Sequence, residues 1–392
     1  MKNREHFSPG VLAKEQLEAL INEKCLTSLN FPPPEVGPSA IDLRLGKKAW
    51  KLRHGQRLTT REYSKIQAQS DEIKPIADVH GEYFEFEARS IYLVELDHVL
   101  ELPSNISGRA TGKSSIGRLD VITRLVTINS LEYDLVEPGP SGRLHLMIMP
   151  QTFSIRVEPG GSVNQLRLFS GPQCSAAISG DLVRHYGTPF WYTKKDTHHE
   201  PWPKADNGQG SERRLTADPL LFDLTVDLGD VDYQHVFKAK QDKAVIDIRK
   251  TYLKSQGLYD PVNYFDAVPI DKDDGSVVLN EESFYIMKSR ERLAIPNDVA
   301  VEVIAISERI GDIRIHYAGF AHPGFGRAGN AKQGTPLIFE VRATDMATKL
   351  YDKSILARVQ LFRMSKETQP ENSDYEGQEL KLSKVFKEWP TS

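Results

Sequence analysis

Two stretches of this sequence concentrate side chains that could do chemistry. In the first, 108-GRATGKSSIGR-118, Lys113 and Arg118 can form charge-assisted hydrogen bonds with phosphate oxygens. Ser114 and Ser115 add two hydroxyl donors. The run departs from the P-loop pattern, because its first two glycines are one residue too close and a strand, not a helix, is expected after it. It predicts a phosphate contact, with a polar turn joining two strands as the alternative.

The second stretch, 336-PLIFEVRA-343, holds a carboxylate among apolar neighbours. Strand alternation puts Glu340 on the same face as Ile338. If that face lines a pocket, desolvation favours the neutral carboxyl, as suits a group that acts as general base and then as acid. A solvated strand face is the alternative.

Metal ligands are sparse. Cys25 and Cys174 are the only cysteines in the sequence, too few for a zinc site built on thiolates. The zinc deaminase signature H-x-E with P-C-x-x-C is absent, and none of the eleven histidines has a convincing ligand partner in the sequence. We therefore expect no protein-bound zinc or other metal site.

The elements that must position these residues are mostly strands. Residues 11-VLAKEQLEALINEK-24 have helical spacing and follow Ser8 and Pro9, which predicts one short helix starting there. The rest alternates short segments rich in Val, Ile, Leu and Phe with clusters of Pro, Gly, Asn and Asp. This rhythm is typical of an all-β barrel or sandwich.

The chain also resembles itself at one fixed offset, which places Pro103 on Pro296. Residues 99–117 align on 292–310, and 144-LHLMI-148 aligns on 337-LIFEV-341. A fixed period indicates duplication of one structural unit. We therefore predict a first repeat over 1–195, a polar linker over 196–217 and a second repeat over 218–392.

The two repeats keep different chemistry. At the positions matched to Lys113–Arg118 and to the residue after them, the second repeat reads 306-ISERIGD-312, which would repel phosphate, and Met147 of the first repeat stands where the second has Glu340. The sequence therefore predicts one composite site between the repeats, with phosphate contacts from the first and the carboxylate from the second.

Composition limits the partners. With 50 basic and 54 acidic side chains and a net charge of −4, no basic surface for a nucleic-acid polymer is expected. The start, MKNREHFSPG, lacks an apolar region, and stretches such as 299-VAVEVIAI-306 are far shorter than the ~20 residues of a membrane span. We expect a soluble cytoplasmic protein without membrane contact.

Five motifs together resemble those of one family. They are 38-PSAIDLRLG-46, 113-KSSIGR-118, 318-AGFAHPGF-325, 337-LIFEV-341 and 374-DYEGQ-378. The second is similar to the R-S-S-x-x-R motif of dCTP deaminases and trimeric dUTPases, and their order resembles the long, tandem form of the dCTP deaminases. The resemblance implies a mainly β fold: two tandem dUTPase-like β-barrel domains of distorted jelly-roll form with a few short helices.

The resemblance also implies an activity. It is the hydrolytic deamination of dCTP to dUTP and ammonia, which feeds dUMP and dTTP synthesis, with Mg²⁺ carried by the triphosphate and no zinc. Three alternatives stay open: dUTP pyrophosphatase, a bifunctional deaminase and pyrophosphatase, and a nucleotide-sensing protein without turnover. The lack of an acid in 318–325 counts against the pyrophosphatase. Inhibition by dTTP and assembly into a homo-oligomer also stay open.

By the same resemblance, Glu340 would deprotonate the attacking water and return the proton towards the base and the leaving amine. Ser114 and Arg118 would position that water, and Lys113 and Ser115 would hold phosphate. The other implied substrate contacts are the carbonyl of Ala318, the residues His322, Phe325, Ile338 and Phe339, and the tail residue Gln378.

Four positions depart from the family's pattern. Lys113 replaces the usual Arg and loses its planar fork. His322 stands where an acid normally meets the deoxyribose, and Phe325 replaces a larger aromatic residue. Asp374 stands where the tail normally has Lys. Sugar recognition and the tail contact to phosphate are the functions most affected.

Overall fold

The computed structural model describes residues 7–53, 70–127, 130, 132–178, 191–195, 198–202, 221–229, 236–305, 313–315, 319–327, 334–343, 346–369 and 377–390. The chain divides into two compact units. The first comprises Met1–Ala176, Asp242–Leu258 and Arg363–Thr368, and the second comprises Ala177–Gln241, Tyr259–Phe362 and Gln369–Ser392.

Strands form most of the described structure. The helices are α1 (Lys14–Asn22), α2 (Ser114–Gly117), α3 (Gln173–Ala176) and α4 (Lys250–Gln256), with a 3₁₀ turn at Pro261–Asn263. The first thirteen strands are β1 (Gly10–Val11), β2 (Leu26–Ser28), β3 (Ile41–Leu52), β4 (Asp71–Ile73), β5 (Ile76–Asp78), β6 (Gly81–Phe86), β7 (Ile91–Glu101), β8 (Ile106–Gly112), β9 (Val121–Val126), β10 (Leu135–Val136), β11 (Pro140–Pro150), β12 (Ile155–Val157) and β13 (Ser162–Ser170). The later strands are β14 (Trp191–Lys195), β15 (His198–Trp202), β16 (Leu221–Thr225), β17 (Phe237–Ala239), β18 (Ile246–Asp247), β19 (Phe265–Ala267), β20 (Ser276–Leu279), β21 (Phe284–Leu293), β22 (Val299–Ala305), β23 (Ile313–Ile315), β24 (Phe320–Ala321), β25 (Thr335–Ala343), β26 (Thr348–Tyr351) and β27 (Ile355–Arg363).

The first unit has a large antiparallel sheet in the order β10-β8-β13-β3-β7-β11-β9 and a smaller sheet in the order β18-β12-β6-β5. Strand β18 comes from the later part of the chain and pairs with β12 in parallel. Just beyond β18, the buried guanidinium of Arg249 bonds the carboxylates of Asp247 and Asp78, with Nη2 to Asp78 Oδ2 at 2.7 Å. Residues 242–258 are thus an integral part of the first unit.

The second unit contains a sheet in the order β15-β14-β21-β17-β19, to which β25 and β23 are added through β21. A second sheet runs β16-β27-β22-β24, and β20 pairs with β26. Alternate side chains of β25, those of Leu337, Phe339 and Val341, pack with Tyr285 and Met287 of β21 in the hydrophobic core. The remaining side chains of β25 therefore face away from that core.

The two units repeat one strand plan. Strands β8 and β22 have equal length and begin at the same offset as the sequence alignment, and the same is true of β13 and β27. The order β3-β13-β8-β10 in the first unit corresponds to β16-β27-β22-β24 in the second. The predictions of a mainly β fold and of tandem organisation are confirmed.

Local details differ from the sequence-based expectation. The predicted first helix is present as α1, but it begins at Lys14 and not at Ser8, because the backbone N–H of Ala13 donates to Gln16 Oε1 at 2.9 Å and closes the helix start. The turn expected after β8 contains one turn of helix, α2. No helix in the part of the chain that the structure describes is long and apolar enough to cross a membrane.

The proposed domain boundaries at 195 and 217 stay a prediction. Residues 191–195 form β14, which pairs with β21 of the second unit, and 198–202 form β15 beside it. Residues 196, 197 and 203–217 of the proposed linker lie outside the described residues.

At one matched position of the two units, different side chains accept a hydrogen bond from a backbone N–H. In the first unit, Nε2 of buried His98 accepts a hydrogen bond from the backbone N–H of Arg44 at 2.9 Å. At the matched position of the second unit, Oε2 of buried Glu291 accepts from the N–H of Thr225 at 2.8 Å. Burial lowers the pKa of His98 to about 4 and raises the pKa of Glu291.

The His98 position predicts a pH-dependent stability. Its pKa in the fold lies below that of an exposed histidine, about 6.5, so the unfolded state binds more protons between these values. The contribution of neutral His98 to the free energy of unfolding is therefore complete above pH 6.5. It declines as the pH falls towards 4, by at most about 1.4 kcal/mol per pH unit. Urea unfolding at pH 7.5 and 5.0 should show a smaller loss in His98→Gln than in the unaltered chain. Equal losses would contradict this role.

Candidate functional site

The turn after β8 presents its side chains in two directions. Lys113 has extended backbone and precedes α2, and its N–H donates to the carbonyl of Val163 at 3.1 Å. The side chains of Lys113 and Ser114 are partly exposed, whereas those of Ser115 and Arg118 are buried. The turn therefore places a cation and a hydroxyl at the surface, with a second hydroxyl and a guanidinium beneath them.

The turn packs closely against the neighbouring strands. A Cβ added to Gly112 would lie 3.1 Å from Thr123 Oγ1, so glycine lets β8 approach β9. Thr123 Oγ1 in turn accepts a hydrogen bond from Nδ2 of buried Asn164 at 3.0 Å. On the far side of α2, the hydroxyl of Thr152 donates to the buried carboxylate of Asp120. The position of the turn is thus set by the strands around it.

Lys113 has a charged partner on another strand. Its ammonium group forms an ion pair with the carboxylate of Asp42 on β3. Asp42 is the cross-strand partner of Gln165, and Gln165 is in turn the cross-strand partner of Thr111. Because Lys113 lies two residues beyond Thr111, its side chain reaches the same sheet face.

Glu340 lies near the centre of β25 and is only 3% exposed. It is opposite Ile286 of β21, and it shares with Ile338 the strand face that points away from the core of the second unit. Phe339, expected among the substrate contacts, has its side chain inside that core, so only its main chain remains available to a ligand.

The matched strand face of the first unit has no carboxylate. Met147, at the position that Glu340 takes in the second unit, packs with Leu52, Leu93 and Val126 in a hydrophobic cluster. The same strand position is therefore part of an apolar contact in one unit and bears an acid in the other.

The predicted hairpin motif is described only in part, since Ala318 lies outside the described residues. The carbonyl of His322 accepts from the N–H of Phe325 at 3.1 Å, and the Phe325 ring packs on the core of the second unit. At Gly326 φ is +78°, and a Cβ there would lie 1.8 Å from the carbonyl oxygen of Leu293. Glycine at this position is what lets the hairpin turn close against β21.

The tail residue Gln378 lies against the strand that bears Glu340. Its Nε2 donates to the carbonyl of Pro336 at 3.4 Å, and the N–H of Gly377 donates to Thr335 Oγ1 at 3.0 Å. Gln378 is buried there. The described part of the tail is therefore fixed at the start of β25.

Two cations of β21 fix the next tail residue. The carboxylate of Glu379 bonds Lys288 Nζ at 3.1 Å and Arg292 Nη1 at 2.7 Å. Burial alone would raise the pKa of Glu379, but the charges of Lys288 and Arg292 outweigh it and hold the pKa below its ordinary value. Lys288 is the cross-strand partner of Ile338, so the tail crosses the strand face that also presents Glu340.

The structure thus gathers the predicted residues into two groups. Lys113, Ser114, Ser115 and Arg118 form one turn in the first unit, and Ile338, Glu340 and Gln378 meet around β25 in the second. Sequence reasoning missed Asp42 and the set formed by Lys288, Arg292 and Glu379. The only sequence signal for that set was the presence of cations inside an apolar strand.

Comparison with known proteins assigns the family. The family model for the 2′-deoxycytidine 5′-triphosphate deaminase (DCD) N-terminal domain matches residues 8–172, and that for the DCD C-terminal domain matches residues 209–386. Together the matches define a chain that carries both domains of a deoxynucleotide deaminase. The chain belongs to the dCTP deaminase family.

Individual relatives agree. The chain is 30% identical over 195 residues to the "dCTP deaminase, dUMP-forming" of Mycobacterium tuberculosis, which covers 49% of this chain and 94% of that protein. A relative of the same name from Parafrankia sp. is 31% identical over 172 residues, which is 43% of this chain and 76% of that protein. The crystal structure of 2′-deoxycytidine 5′-triphosphate deaminase from Agrobacterium tumefaciens matches 92% of this chain and 100% of its own, with a TM-score of 0.75 and 26% identity.

The tail contact predicts a local stability effect. Glu379→Gln removes the negative charge that pairs with both Lys288 and Arg292. Since Glu379 is half exposed, we expect the free energy that holds the tail in place to fall by about 1 kcal/mol. Trypsin should then cut after Lys381 about 5-fold faster, because more molecules have an open tail. Glu388→Gln, which changes an exposed glutamate of the same tail, is the control. Equal cleavage rates in all three proteins would show that the ion pairs do not fix the tail.

Proposed function

We propose that this chain catalyses the hydrolytic deamination of dCTP to dUTP and ammonia, with Glu340 as general base. The observation that carries the proposal is a carboxylate 3% exposed on the non-core face of β25, in a chain whose two halves match both domains of the dCTP deaminase family. The Mg²⁺ would enter as part of the nucleotide substrate, bound to its triphosphate.

The proposed chemistry begins with water and a carboxylate. Glu340 accepts a proton as the water oxygen forms a bond to C4 of the cytosine, the electron pair of the C4=N3 double bond moves to N3, and Glu340 passes that proton to N3. Glu340 then takes the proton of the new C4 hydroxyl and gives it to the departing amine, as the C4–N4 bond breaks and a carbonyl forms at C4. One water is consumed and one ammonia released, and Glu340 returns to its starting state.

The residues of the first unit have proposed roles in binding and positioning. Lys113 and Ser115 would bind phosphate oxygens, while Ser114 and Arg118 would orient the water and stabilise charge that develops on the ring. Their grouping in one turn with restricted conformation supports these roles, because preorganised donors lose little order during reaction.

A second activity is favoured by the names of the relatives. Several are called dUMP-forming, which implies that those proteins also remove pyrophosphate. We propose as a second candidate that this chain continues from dUTP to dUMP by water attack at the α-phosphorus. Chromatography of the nucleotide product, together with a pyrophosphate assay, distinguishes dUTP from dUMP.

Removing the carboxylate should stop the chemistry and spare binding. Glu340→Gln keeps size and hydrogen-bonding capacity but cannot accept the proton, so ammonia release from dCTP should fall at least ~100-fold. Its dCTP affinity, measured by calorimetry, should stay within a few-fold of that of the unaltered chain. Glu340→Asp, which retains a carboxylate, should keep more activity than Glu340→Gln. Turnover at the normal rate in Glu340→Gln would exclude Glu340 as the base.

The contrast between the two units predicts the number of sites. Since the position matched to Glu340 is Met147, inside an apolar cluster, we expect one dCTP to bind per chain. Calorimetric titration of Glu340→Gln with dCTP and Mg²⁺ measures this ratio without turnover. A ratio of two would contradict a single site.

A further inference from the structure

An aspartate occupies the same place in both units. Asp42 on β3 is the cross-strand partner of Gln165 on β13, and Asp223 on β16 is the cross-strand partner of Arg358 on β27. Gln165 and Arg358 are themselves matched positions, each the fourth residue of its strand. The two aspartates therefore sit at one position of the repeated strand plan.

Their cationic partners come from different places. In the second unit, the partner is the cross-strand neighbour, with Arg358 Nε bonded to Asp223 Oδ1 at 2.9 Å. In the first unit that neighbour is Gln165, which is uncharged. The carboxylate of Asp42 instead binds Lys113, one strand further across the sheet.

The sequence changes at both cation positions together. The second unit has Arg358 where the first has Gln165, and Ile306, which lies outside the described residues, where the first has Lys113. A structural ion pair alone would be served equally well by either arrangement. In the first unit, however, the cation belongs to the turn that carries the predicted phosphate contacts.

We propose that Asp42 is a positioning residue for the substrate, which holds the Lys113 ammonium where the triphosphate binds. This inference rests on the proposed function, in which Lys113 binds phosphate. A lysine side chain has a flexible four-carbon stem, so fixing it in advance reduces the order that binding must impose. Asp42 and Lys113 are only 20% and 27% exposed, so solvent screens their charges weakly, and the lysine ammonium itself must offset the repulsion between the Asp42 carboxylate and a phosphate bound beyond it. We therefore expect the orienting effect to exceed the repulsion.

Steady-state kinetics on the full chain tests the inference. Asp42→Asn should raise the KM for dCTP about 5-fold and change kcat less than 2-fold, because binding is affected and the proton transfer is not. In a Lys113→Met background the same substitution should leave KM unchanged, since the residue that Asp42 positions is gone. Asp42→Ser, which also lacks the carboxylate, should repeat the result and excludes an effect peculiar to asparagine.

The chain offers a matched control. Asp223→Asn removes the equivalent carboxylate from the second unit and should leave KM for dCTP unchanged. An unchanged or lower KM in Asp42→Asn, or an equal rise in the Lys113→Met background, would overturn the inference while leaving the proposed function intact. Absence of dCTP turnover in the unaltered chain would overturn the proposed function, and the inference with it.

Discussion

Strand register is the constraint on which the rest of this structure depends. In a pleated strand, neighbouring side chains face opposite ways, so one pairing decides which residues share a surface. Pairing of β25 with β21 sends Phe339 and Val341 into the core and leaves Glu340 with Ile338 on the other face. A shift by one residue would bury the carboxylate in the core and expose the aromatic ring. The candidate chemistry therefore requires the register as much as it requires the glutamate.

The two units show how one scaffold can carry different functions. Where a backbone N–H needs an acceptor, the matched positions both carry a side chain that can accept a hydrogen bond, as with His98 and Glu291. Side chains that accept no such hydrogen bond differ more in character between the units, and Glu340 and Met147 are the clearest case. Divergence of this kind separates residues kept for the strand plan from residues such as Glu340, for which we propose a chemical role.

Much of the architecture could be predicted from the sequence because it follows from local patterns. Alternation placed Glu340 beside Ile338, and helical spacing predicted α1. Alternation also put Phe339 on the face opposite Glu340, but it could not decide which of the two faces packs on the core, since Ile338 on one and Phe339 on the other are both apolar. Nor could local patterns predict the contact between Lys288 and Glu379, which joins residues 91 positions apart and depends on where the tail crosses β21. Interactions of this second kind need the folded chain.

The insertion of residues 242–258 into the first unit has a consequence for how the chain can be divided. Because the sequence is duplicated, dividing the chain between its two repeats would be expected to yield two proteins that fold independently. A fragment ending there would lack β18, so one edge of β12 would be left unpaired and Asp78 would lose Arg249. The repeats are tandem in sequence, but the folded product no longer separates at the duplication point, because the later half completes the earlier one.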